Sequence, residues 1–460
     1  MRNIVSKHYP QLLLAILAFS FFTRLYRLNI PEKYMFDEVY HAVTAKLIAQ
    51  NDIRAYEWTN PPPEPNTAVD WLHPPLAKYT QAISIKLFGE TSFGWRFSSA
   101  IFGVLVIFFT ARLAFNLFHD ERLSLLAALI VSLDGLVLTM SRIAMNDIHV
   151  TVFILMALNF YTIYVNSKRE KKKFLVLASL SSGLAMGTKW SGVFALLIIG
   201  FFEGINLIKI FFGSINAAKK ILLLIGVLLV LPISIYILSY SHMFLLGKDF
   251  NYLIEMHKNI WWYQTTLDAT HPAQSRPINW FLNTKPVWLD VTWGNGTSPT
   301  KTRGDIYAVG NPLIFWVGDI FIFISIAQLI YLLKKLIRAR TSSKADNKIA
   351  ITENKKLKKE LGRLSCLLFS YFAVWLPWQL SPRIMFFYHY LPAVPLLSIN
   401  IAFWLNKLFS GKNRSRNLAG IILASFVIAF IVWYPHWVEI EMPVTLKDNL
   451  YFAIESWRQQ

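Results

Sequence analysis

Residues 95–118 read WRFSSAIFGVLVIFFTARLAFNLF, a run in which apolar and aromatic side chains predominate. A helix needs about 20 mostly apolar residues to cross a bilayer, so this stretch predicts a transmembrane helix. Similar runs predict about eleven spans, within a range of about ten to twelve. The predicted spans are 10–28, 95–118, 123–140, 148–165, 174–189, 191–212, 221–243, 312–331, 364–380, 385–404 and 418–434. We therefore expect an all-α polytopic membrane protein.

The composition agrees with a membrane protein. Of the 460 residues, 55% are hydrophobic and only 16% are charged, whereas about 25% of the residues are charged in a typical soluble domain. This excludes a disordered chain and argues strongly against a soluble enzyme. The single cysteine, Cys366, excludes an internal disulfide and a multi-cysteine zinc site.

The net charge of +19 is concentrated in the connections 167–173, 219–220, 334–363 and 407–416. These connections fall on one side of the predicted topology, which is then the cytoplasmic side and also holds the N-terminus. Orientation in the membrane explains the lysines and arginines more simply than nucleic-acid binding does. We expect a multi-pass protein of the plasma (inner) membrane with its N-terminus in the cytoplasm.

The opposite, extracytoplasmic side receives two long connections, 29–94 and 244–311, and a short tail, 435–460. Both connections are rich in tryptophan, and this density of aromatic residues predicts short helices that lie along the membrane interface. Residues 1–434 are predicted to form one transmembrane domain.

Several polar residues fall on this outer side. Asp37 and Glu38 follow the first span, where carboxylates are costly unless they are used or solvated. Arg142 and Asp147 occupy a short outer junction. The arginine could reach the headgroups and the aspartate could cap a helix, with or without a functional role. His73 lies in the turn HPPLAK. One histidine is not a metal-ligand set, and taken alone this residue is better interpreted as a structural histidine.

Lys189 and Arg383 stand at span ends on the same outer side. Cations at span ends usually anchor helices, but topology does not require them here, so an anionic ligand such as phosphate is indicated. The sequence has neither a glycine-rich phosphate loop nor G-x-S-x-G, which argues against a nucleotide donor and a hydrolase triad. Outward-facing acids and cations at a lipid boundary suit a donor carried on a lipid phosphate.

The motifs resemble, in order, those of the protein O-mannosyltransferases, membrane-embedded glycosyltransferases that use lipid-phosphate sugars. The resemblance covers residues from about 20 to 395. Any one of these motifs is a weak signal, but several of them in the family's order are a strong one. The matching segments are FDEVYH (36–41), HPPLAKY (73–79), SRIAMND (141–147), GLAMGTKWSGVF (183–194), HPAQSRPINW (271–280), GNPLIFW (310–316) and PWQLSPRIMFFYHYLPAVP (377–395).

The resemblance implies a role for each matching residue. Asp37 is the general base that deprotonates an acceptor hydroxyl, and Glu38 orients the acceptor or supports the site. Arg142 binds the donor phosphate or pairs with an acid, with Lys189 and Arg383 as further phosphate contacts. The other candidate site residues are His73, Asp147, Gln274 and His389. No metal ligands are assigned, although a divalent cation could assist the phosphate.

The expected reaction is inverting transfer of mannose from polyprenyl-phosphate-mannose to Ser/Thr hydroxyls of exported proteins. Eukaryotic members insert a β-trefoil domain that 244–311 is too short to hold, so the chain resembles a bacterial or archaeal member. The residues between Arg142 and Asp147 differ from the usual aliphatic run. One alternative is an aminoarabinose transferase acting on lipid A, or another transferase that uses a lipid-phosphate sugar. The other is a lipid flippase or transporter, which would place ionisable residues near the bilayer centre.

Overall fold

A computed structural model of the protein describes residues 2–167, 172–211, 217–294, 301–341, 348–452 and 454–458. Most of these residues are helical. The α-helices are α1 (Arg2–Lys7), α2 (Tyr9–Leu25), α3 (Glu38–Ala49), α4 (Leu76–Phe88), α5 (Ser92–Phe118), α6 (Glu121–Ser132), α7 (Gly135–Met140), α8 (Asp147–Asn166), α9 (Lys172–Met186), α10 (Val193–Phe211), α11 (Ala217–Ile225), α12 (Leu231–Leu238), α13 (Ser241–Leu245), α14 (Phe250–Thr266), α15 (Pro277–Phe281), α16 (Pro312–Thr341), α17 (Lys348–Ala373), α18 (Ala393–Phe409), α19 (Asn413–Trp437) and α20 (Val444–Tyr451).

Short 3₁₀ and π segments join these helices. The 3₁₀ helices are Ile53–Tyr56, Trp190–Gly192, Leu376–Leu380, Phe387–Tyr390 and Glu455–Trp457, and Gly226–Val230 is a π-helical turn between α11 and α12.

Seven helical segments of the described chain are long and apolar enough to cross a membrane. They are Ser92–Phe118, Asp147–Asn166, Trp190–Ile208, Ala218–Leu238, Pro312–Ala339, Thr352–Leu380 and Asn413–Trp437. The helices α2 and α18 are apolar but shorter. The protein is therefore a helical, multi-span membrane protein, as its hydropathy predicts.

The two remaining predicted spans differ from single long helices. Residues 123–140 form α6 and α7, which are separated at Asp134. The Asp134 carboxylate accepts a hydrogen bond from the Val137 backbone N–H at 2.9 Å and so starts a new helix. Residues 174–189 correspond to the shorter α9.

The core of the molecule lies where α8 packs against α5 and α9, and where α18 packs against α6. Their facing surfaces are almost entirely buried, including Ala111, Val131, Leu155 and Leu397. Burial of this kind fixes the relative positions of the helix ends that carry the polar residues.

The second long connection contains a β-sheet, which corrects the expectation of an all-α fold. Strands β1 (Val287–Trp293) and β2 (Thr302–Ala308) are antiparallel, and β2 also pairs with β3 (Met442–Pro443). Valine, tryptophan and threonine in VWLDVTW favour a strand, but the segment is short and hydropathy alone did not separate it from an interfacial helix. The same connection contains the helices α14 and α15.

The C-terminal tail is anchored to this sheet by buried charges. The Asp305 carboxylate on β2 accepts hydrogen bonds from Lys447 Nζ at 2.7 Å and from His436 Nδ1 at 2.6 Å. Arg303 Nε donates to its other oxygen at 2.9 Å. Desolvation alone would raise the pKa of the Asp305 carboxyl, but its interactions with His436 and Lys447 hold that pKa below the ordinary value.

Candidate active site

The main cavity of the described chain has a volume of about 520 Å³. It is lined by residues from the start of α3, from 68–73, from the start of α8, from 189–191, from the end of α14 and from 378–389. Segments that are distant in sequence therefore meet around one space. A cavity of this size can hold a small ligand such as a sugar phosphate.

Asp37 is held in this cavity by an unusual backbone conformation. Phe36, directly before it, has φ = +48°, a left-handed value that is rare for a bulky side chain. The Phe36 ring packs edge-on against the rings of Phe386 and Tyr388, which stabilises the conformation. The Asp37 carboxylate does not cap α3. It accepts a hydrogen bond from the Tyr388 hydroxyl at 3.4 Å instead. It is therefore presented to the cavity.

Burial raises the pKa of the Asp37 carboxyl to about 6. Electrostatic interaction with His41 and with the Lys189 ammonium opposes this shift, whereas the negative charges of Asp70 and Asp147 add to it. A carboxylate with a pKa near 6 is ionised at neutral pH and is a stronger base than an ordinary aspartate. This is the property that a general base requires.

Glu38 points away from the cavity, although it is adjacent to Asp37. Its carboxylate receives two hydrogen bonds from the Arg96 guanidinium, from Nε and Nη2, both at 2.8 Å. It also accepts from the backbone N–H groups of Met35 at 3.1 Å and Ala144 at 3.0 Å. Glu38 and Arg96 are fully buried. Glu38 thus joins α3 to α5 and to the segment before α8, and it fixes the position of Asp37.

The motifs assign Arg142 to the donor phosphate or to an acid, but Arg142 does not line the cavity. Its guanidinium donates hydrogen bonds to the backbone carbonyls of Arg24 at 2.7 Å, Tyr26 at 2.6 Å and Arg27 at 3.0 Å. These carbonyls lie at the end of α2, where helix carbonyls have no partner within the helix. Arg142 therefore caps α2, and both of its terminal nitrogens donate to these carbonyls.

Lys189 does reach the cavity. Its ammonium lies 2.8 Å from Asp147 Oδ1 and 5.5 Å from the centre of the Tyr388 ring. Asp147 begins α8 and faces the same space. The two residues that sequence analysis placed among the candidates thus form an ion pair beside Asp37.

Arg383 lies at another side of the same cavity. It donates a hydrogen bond to the Gln264 side-chain oxygen and lies 5.9 Å from the centre of the Tyr263 ring. Within the described residues no carboxylate forms an ion pair with Arg383, so its positive charge is available to an anionic ligand. His389 also faces the cavity, between the rings of Trp378 and Tyr388. Gln274 is exposed and lies outside the lining.

A cluster of four charged or ionisable residues adjoins the cavity, and three of them, His41, Asp70 and His73, line it together with Asp37. Asp70 lies 2.9 Å from His73 Nδ1, 2.8 Å from His41 Nδ1 and 2.8 Å from Lys78 Nζ. Burial opposes the charge on Asp70, but these three neighbours together hold its pKa well below the ordinary value. Burial lowers the pKa of His73 to about 4, so this ring is neutral at pH 7.

His41, Asp70 and His73 offer ligand atoms that lie within 4.8 Å of one another, a set that could hold a metal ion. However, the Lys78 ammonium is in contact with the same Asp70 oxygen that faces His41. A fixed positive charge there opposes the binding of a second cation. The donor set therefore fits a cluster of paired charges better than a metal centre.

Sequence analysis missed His41, Asp70, Tyr388 and Gln264 as cavity residues. His41 had a usable signal, since it stands four residues after Asp37 and side chains at i and i+4 share a helix face. Asp70 also had a usable signal, since it stands three residues before the candidate His73. Tyr388 and Gln264 meet the site only through tertiary packing.

Solved structures with a similar fold are membrane glycosyltransferases. The *S. cerevisiae* protein O-mannosyltransferase Pmt1-Pmt2 complex bound to the sugar donor aligns with a TM-score of 0.74 at 15% identity, covering 94% of this chain and 90% of that chain. ArnT from *Cupriavidus metallidurans* bound to undecaprenyl phosphate gives 0.54 at 14% identity, covering 91% and 70%. The fold is thus that of the multi-span membrane glycosyltransferases.

The sequence narrows this class to one family. The model of the dolichyl-phosphate-mannose-protein mannosyltransferase family matches residues 14–246, and the C-terminal four-TMM region of protein-O-mannosyltransferase matches 249–451. The chain belongs to this family and is a glycosyltransferase, which confirms the resemblance noted in its motifs.

Two curated relatives are polyprenol-phosphate-mannose–protein mannosyltransferases. The protein from *Mycolicibacterium smegmatis* (strain ATCC 700084 / mc(2)155) is 23% identical over 96% of this chain and 92% of its own length. The one from *Mycobacterium tuberculosis* (strain CDC 1551 / Oshkosh) is 22% identical over 84% and 81%.

Proposed function

We propose that this protein transfers mannose, with inversion, from polyprenyl-phosphate-mannose to Ser/Thr hydroxyls of exported proteins. The observation that carries the proposal is the position of Asp37, a carboxylate with a raised pKa in a cavity that also contains cationic side chains. Family membership and the names of the mycobacterial relatives support the choice of donor and acceptor.

The chemistry assigns one task to Asp37. A serine or threonine hydroxyl is a weak nucleophile until a base takes its proton as the new bond forms. Asp37 accepts this proton while the hydroxyl oxygen attacks the anomeric carbon from the face opposite the phosphate. The bond from the anomeric carbon to the phosphate oxygen breaks, and the configuration at that carbon inverts.

The cations stabilise the departing lipid phosphate. Arg383 and Lys189 are the cavity cations, and a guanidinium can bind two phosphate oxygens at once. Arg383 is the stronger contact in this proposal because Lys189 shares its charge with Asp147 at 2.8 Å. With the developing negative charge held in this way, the phosphate leaves without protonation, and a general acid is unnecessary.

We further propose that the protein lies in the plasma membrane of a prokaryote, with about eleven spans and the cavity on the extracytoplasmic side. The direction of α8 supports this orientation. Asp147 at its start lines the cavity, and Asn166 at its end directly precedes the basic connection 167–173. Its 20 residues span about 30 Å, enough to cross the bilayer, which supports an orientation with the cavity outside and the basic connection inside.

The test is transfer of labelled mannose from polyprenyl-phosphate-mannose to a Ser/Thr peptide by the purified protein. Asp37→Asn should lower the turnover number by about 10²–10⁴-fold, since it removes the base. The matched control is Glu255→Gln, an exposed acid on α14 outside the cavity lining, which should retain wild-type turnover.

Label that moves to lipid A instead of the peptide would support the aminoarabinose-transferase type of activity and would overturn the proposed acceptor. Equal transfer by wild type and Asp37→Asn would remove Asp37 as the base. Movement of the intact donor between leaflets without transfer would identify a flippase.

A further inference from the structure

The proposed acceptor is a polypeptide, and the cavity can hold only a short part of it. Its volume of about 520 Å³ is that of a small-ligand pocket. The chain on at least one side of the accepting serine or threonine must therefore leave through the opening of the cavity. Two of the lining residues, Tyr40 and Trp261, are 43% and 64% exposed, so this opening lies between α3 and α14.

Four aromatic rings form a row that begins in the cavity wall and continues beyond it. Trp71 and Tyr263 line the cavity, and their ring centres lie 5.7 Å apart. The Trp58 ring lies 5.8 Å from that of Trp71 and 5.2 Å from that of Tyr252, and both Trp58 and Tyr252 lie outside the cavity lining. All four side chains are half-buried, so each ring keeps an accessible part. We call Tyr263, Trp71, Trp58 and Tyr252 the aromatic row.

The helix α14 sets the length of the aromatic row. Tyr252 and Tyr263 stand eleven residues apart on this helix, which is close to three full turns, so both side chains share one face of α14. Eleven residues of helix correspond to about 16 Å. An extended polypeptide rises about 3.3 Å per residue, so the aromatic row matches about five residues of an extended chain.

Charged side chains accompany the rings at the far end of the aromatic row. The Lys248 ammonium lies 4.4 Å from the centre of the Tyr252 ring and 2.6 Å from Glu57 Oε1. Glu57 directly precedes Trp58, and the residues that follow Trp58, Thr59 and Asn60, are exposed. Because charged side chains are costly in hydrocarbon, these contacts favour a water-facing surface over one that is immersed in lipid.

We propose that the aromatic row binds an extended segment of the acceptor polypeptide, next to the residue that receives the mannose. The rings offer apolar contact area to alternate side chains of such a segment, while its backbone stays hydrated. Continuity with the cavity wall aligns the bound segment with the opening through which the acceptor enters. This inference rests on the proposed function and describes how that function selects its acceptor.

The test compares acceptor peptides of different length at saturating polyprenyl-phosphate-mannose. One short peptide carries a single threonine, and two others extend it by about five residues, on the amino or on the carboxyl side. For the wild-type protein, one of the extended peptides should have a KM about tenfold lower than the short peptide. In Trp58→Leu this gain should disappear, whereas the KM for the short peptide and for the donor should stay within about twofold of wild type.

Trp293→Leu is the matched control, because Trp293 is an exposed tryptophan on β1 outside the cavity lining. This variant should keep the full gain from the extended peptide. Tyr252→Leu, at the far end of the aromatic row, serves as a second variant if Trp58→Leu lowers the unfolding temperature. We expect Tyr252→Leu to reduce the gain in the same way.

The length dependence separates acceptor binding from the other roles of exposed aromatic residues. Equal KM values for all three peptides with the wild-type protein would overturn the inference, and so would a gain that survives in the folded variants, as expected if the rings anchor the protein in the membrane. An equal increase in KM for short and extended peptides would leave the aromatic row a packing feature. In each case the wild-type protein still transfers mannose, whereas a wild-type protein that transfers none would refute the proposed function itself.

Discussion

Asp37 combines three features in one residue: a strained residue before it, burial, and a hydroxyl partner in Tyr388. None of its neighbours neutralises it by direct ion pairing within the described chain, so burial dominates its titration. The residue is therefore poised near neutrality, where a small change in charge nearby alters its protonation. The pH at which Asp37 titrates is consequently a direct measure of the electrostatic environment of the cavity.

The activity of the wild-type protein should fall as the pH decreases through about 6, because Asp37 becomes protonated there. Above that pH, kcat/KM should reach a plateau until another group titrates. The measurement is kcat/KM for the peptide acceptor over a pH range that extends from neutrality to below the ordinary aspartate pKa of 3.8. An acid limb near the ordinary aspartate pKa of 3.8 would contradict this assignment.

The same pKa has a consequence for stability. A carboxyl whose pKa is higher in the folded state than in the unfolded state destabilises the fold once it is ionised. Asp37→Asn should therefore raise the unfolding temperature at pH values above about 6, and the difference should vanish below about 3.8. Glu255→Gln, at an exposed position, should leave the unfolding temperature unchanged across this range.

Arg383 keeps the phosphate-binding role that the motifs suggest, whereas the contacts of Arg142 are structural. Arg383→Gln should raise the KM for polyprenyl-phosphate-mannose about tenfold or more, because a hydrogen bond to a charged group is worth about 1.5–3 kcal/mol. Arg142→Gln should instead lower the free energy of unfolding by about 1–3 kcal/mol, since it leaves buried carbonyls of α2 without partners. The first effect is measured as the KM for polyprenyl-phosphate-mannose, and the second by chemical unfolding of the protein in detergent. A large increase in KM for Arg142→Gln with normal stability would reverse the assignment.

At the scale of elements, the position of α3 depends on one buried ion pair. Glu38 on α3 and Arg96 on α5 are both fully buried and hold each other through two hydrogen bonds. Arg96 also donates to the carbonyls of Leu28, Pro31 and Lys33, which fixes the chain that leads into α3. Glu38 therefore affects Asp37 indirectly, by holding the backbone of α3 in position.

Glu38→Ala should lower the free energy of unfolding by about 3–5 kcal/mol, because it leaves Arg96 buried without its counter-charge. Activity should fall together with stability, in contrast to Asp37→Asn, which should lose activity alone. Chemical unfolding in detergent and mannose transfer on the same preparations give the comparison. The exposed Glu32→Ala is the control. Inactive but fully stable Glu38→Ala would instead indicate a direct role in the reaction.

At the scale of the whole molecule, function requires that the cavity and the basic connections face opposite sides of the membrane. Lys258 on α14 and Arg414 at the start of α19 are both exposed and are matched in charge. They lie on opposite sides in the proposed orientation. The single native cysteine, Cys366, can be replaced by serine to provide a background for labelling.

In the Cys366→Ser background, an impermeant thiol reagent added to intact cells should label Lys258→Cys but not Arg414→Cys. Permeabilised cells should show labelling of both, which controls for reactivity. The expectation follows from the basic residues near α19, which the positive-inside rule assigns to the cytoplasm. The opposite pattern would invert the orientation and remove the extracytoplasmic site.

The sequence by itself determined that the chain is a multi-span helical membrane protein, and it determined the family. Hydropathy depends only on local composition, and a bilayer forces long apolar segments into helices whose backbone groups bond internally. The motifs likewise identified Asp37, Lys189, Asp147, His73, His389 and Arg383, all of which line one cavity.

Only the tertiary structure decided which polar side chains face that cavity. Arg142 and Glu38 carry the charges expected of site residues, yet neither faces the cavity. Arg142 donates to backbone carbonyls and Glu38 pairs with Arg96, because a buried charge needs partners and packing supplies these. The β-sheet and the anchored tail similarly depend on pairing between residues near 305 and 443. Contacts between segments so far apart in sequence leave no periodic signal in either segment.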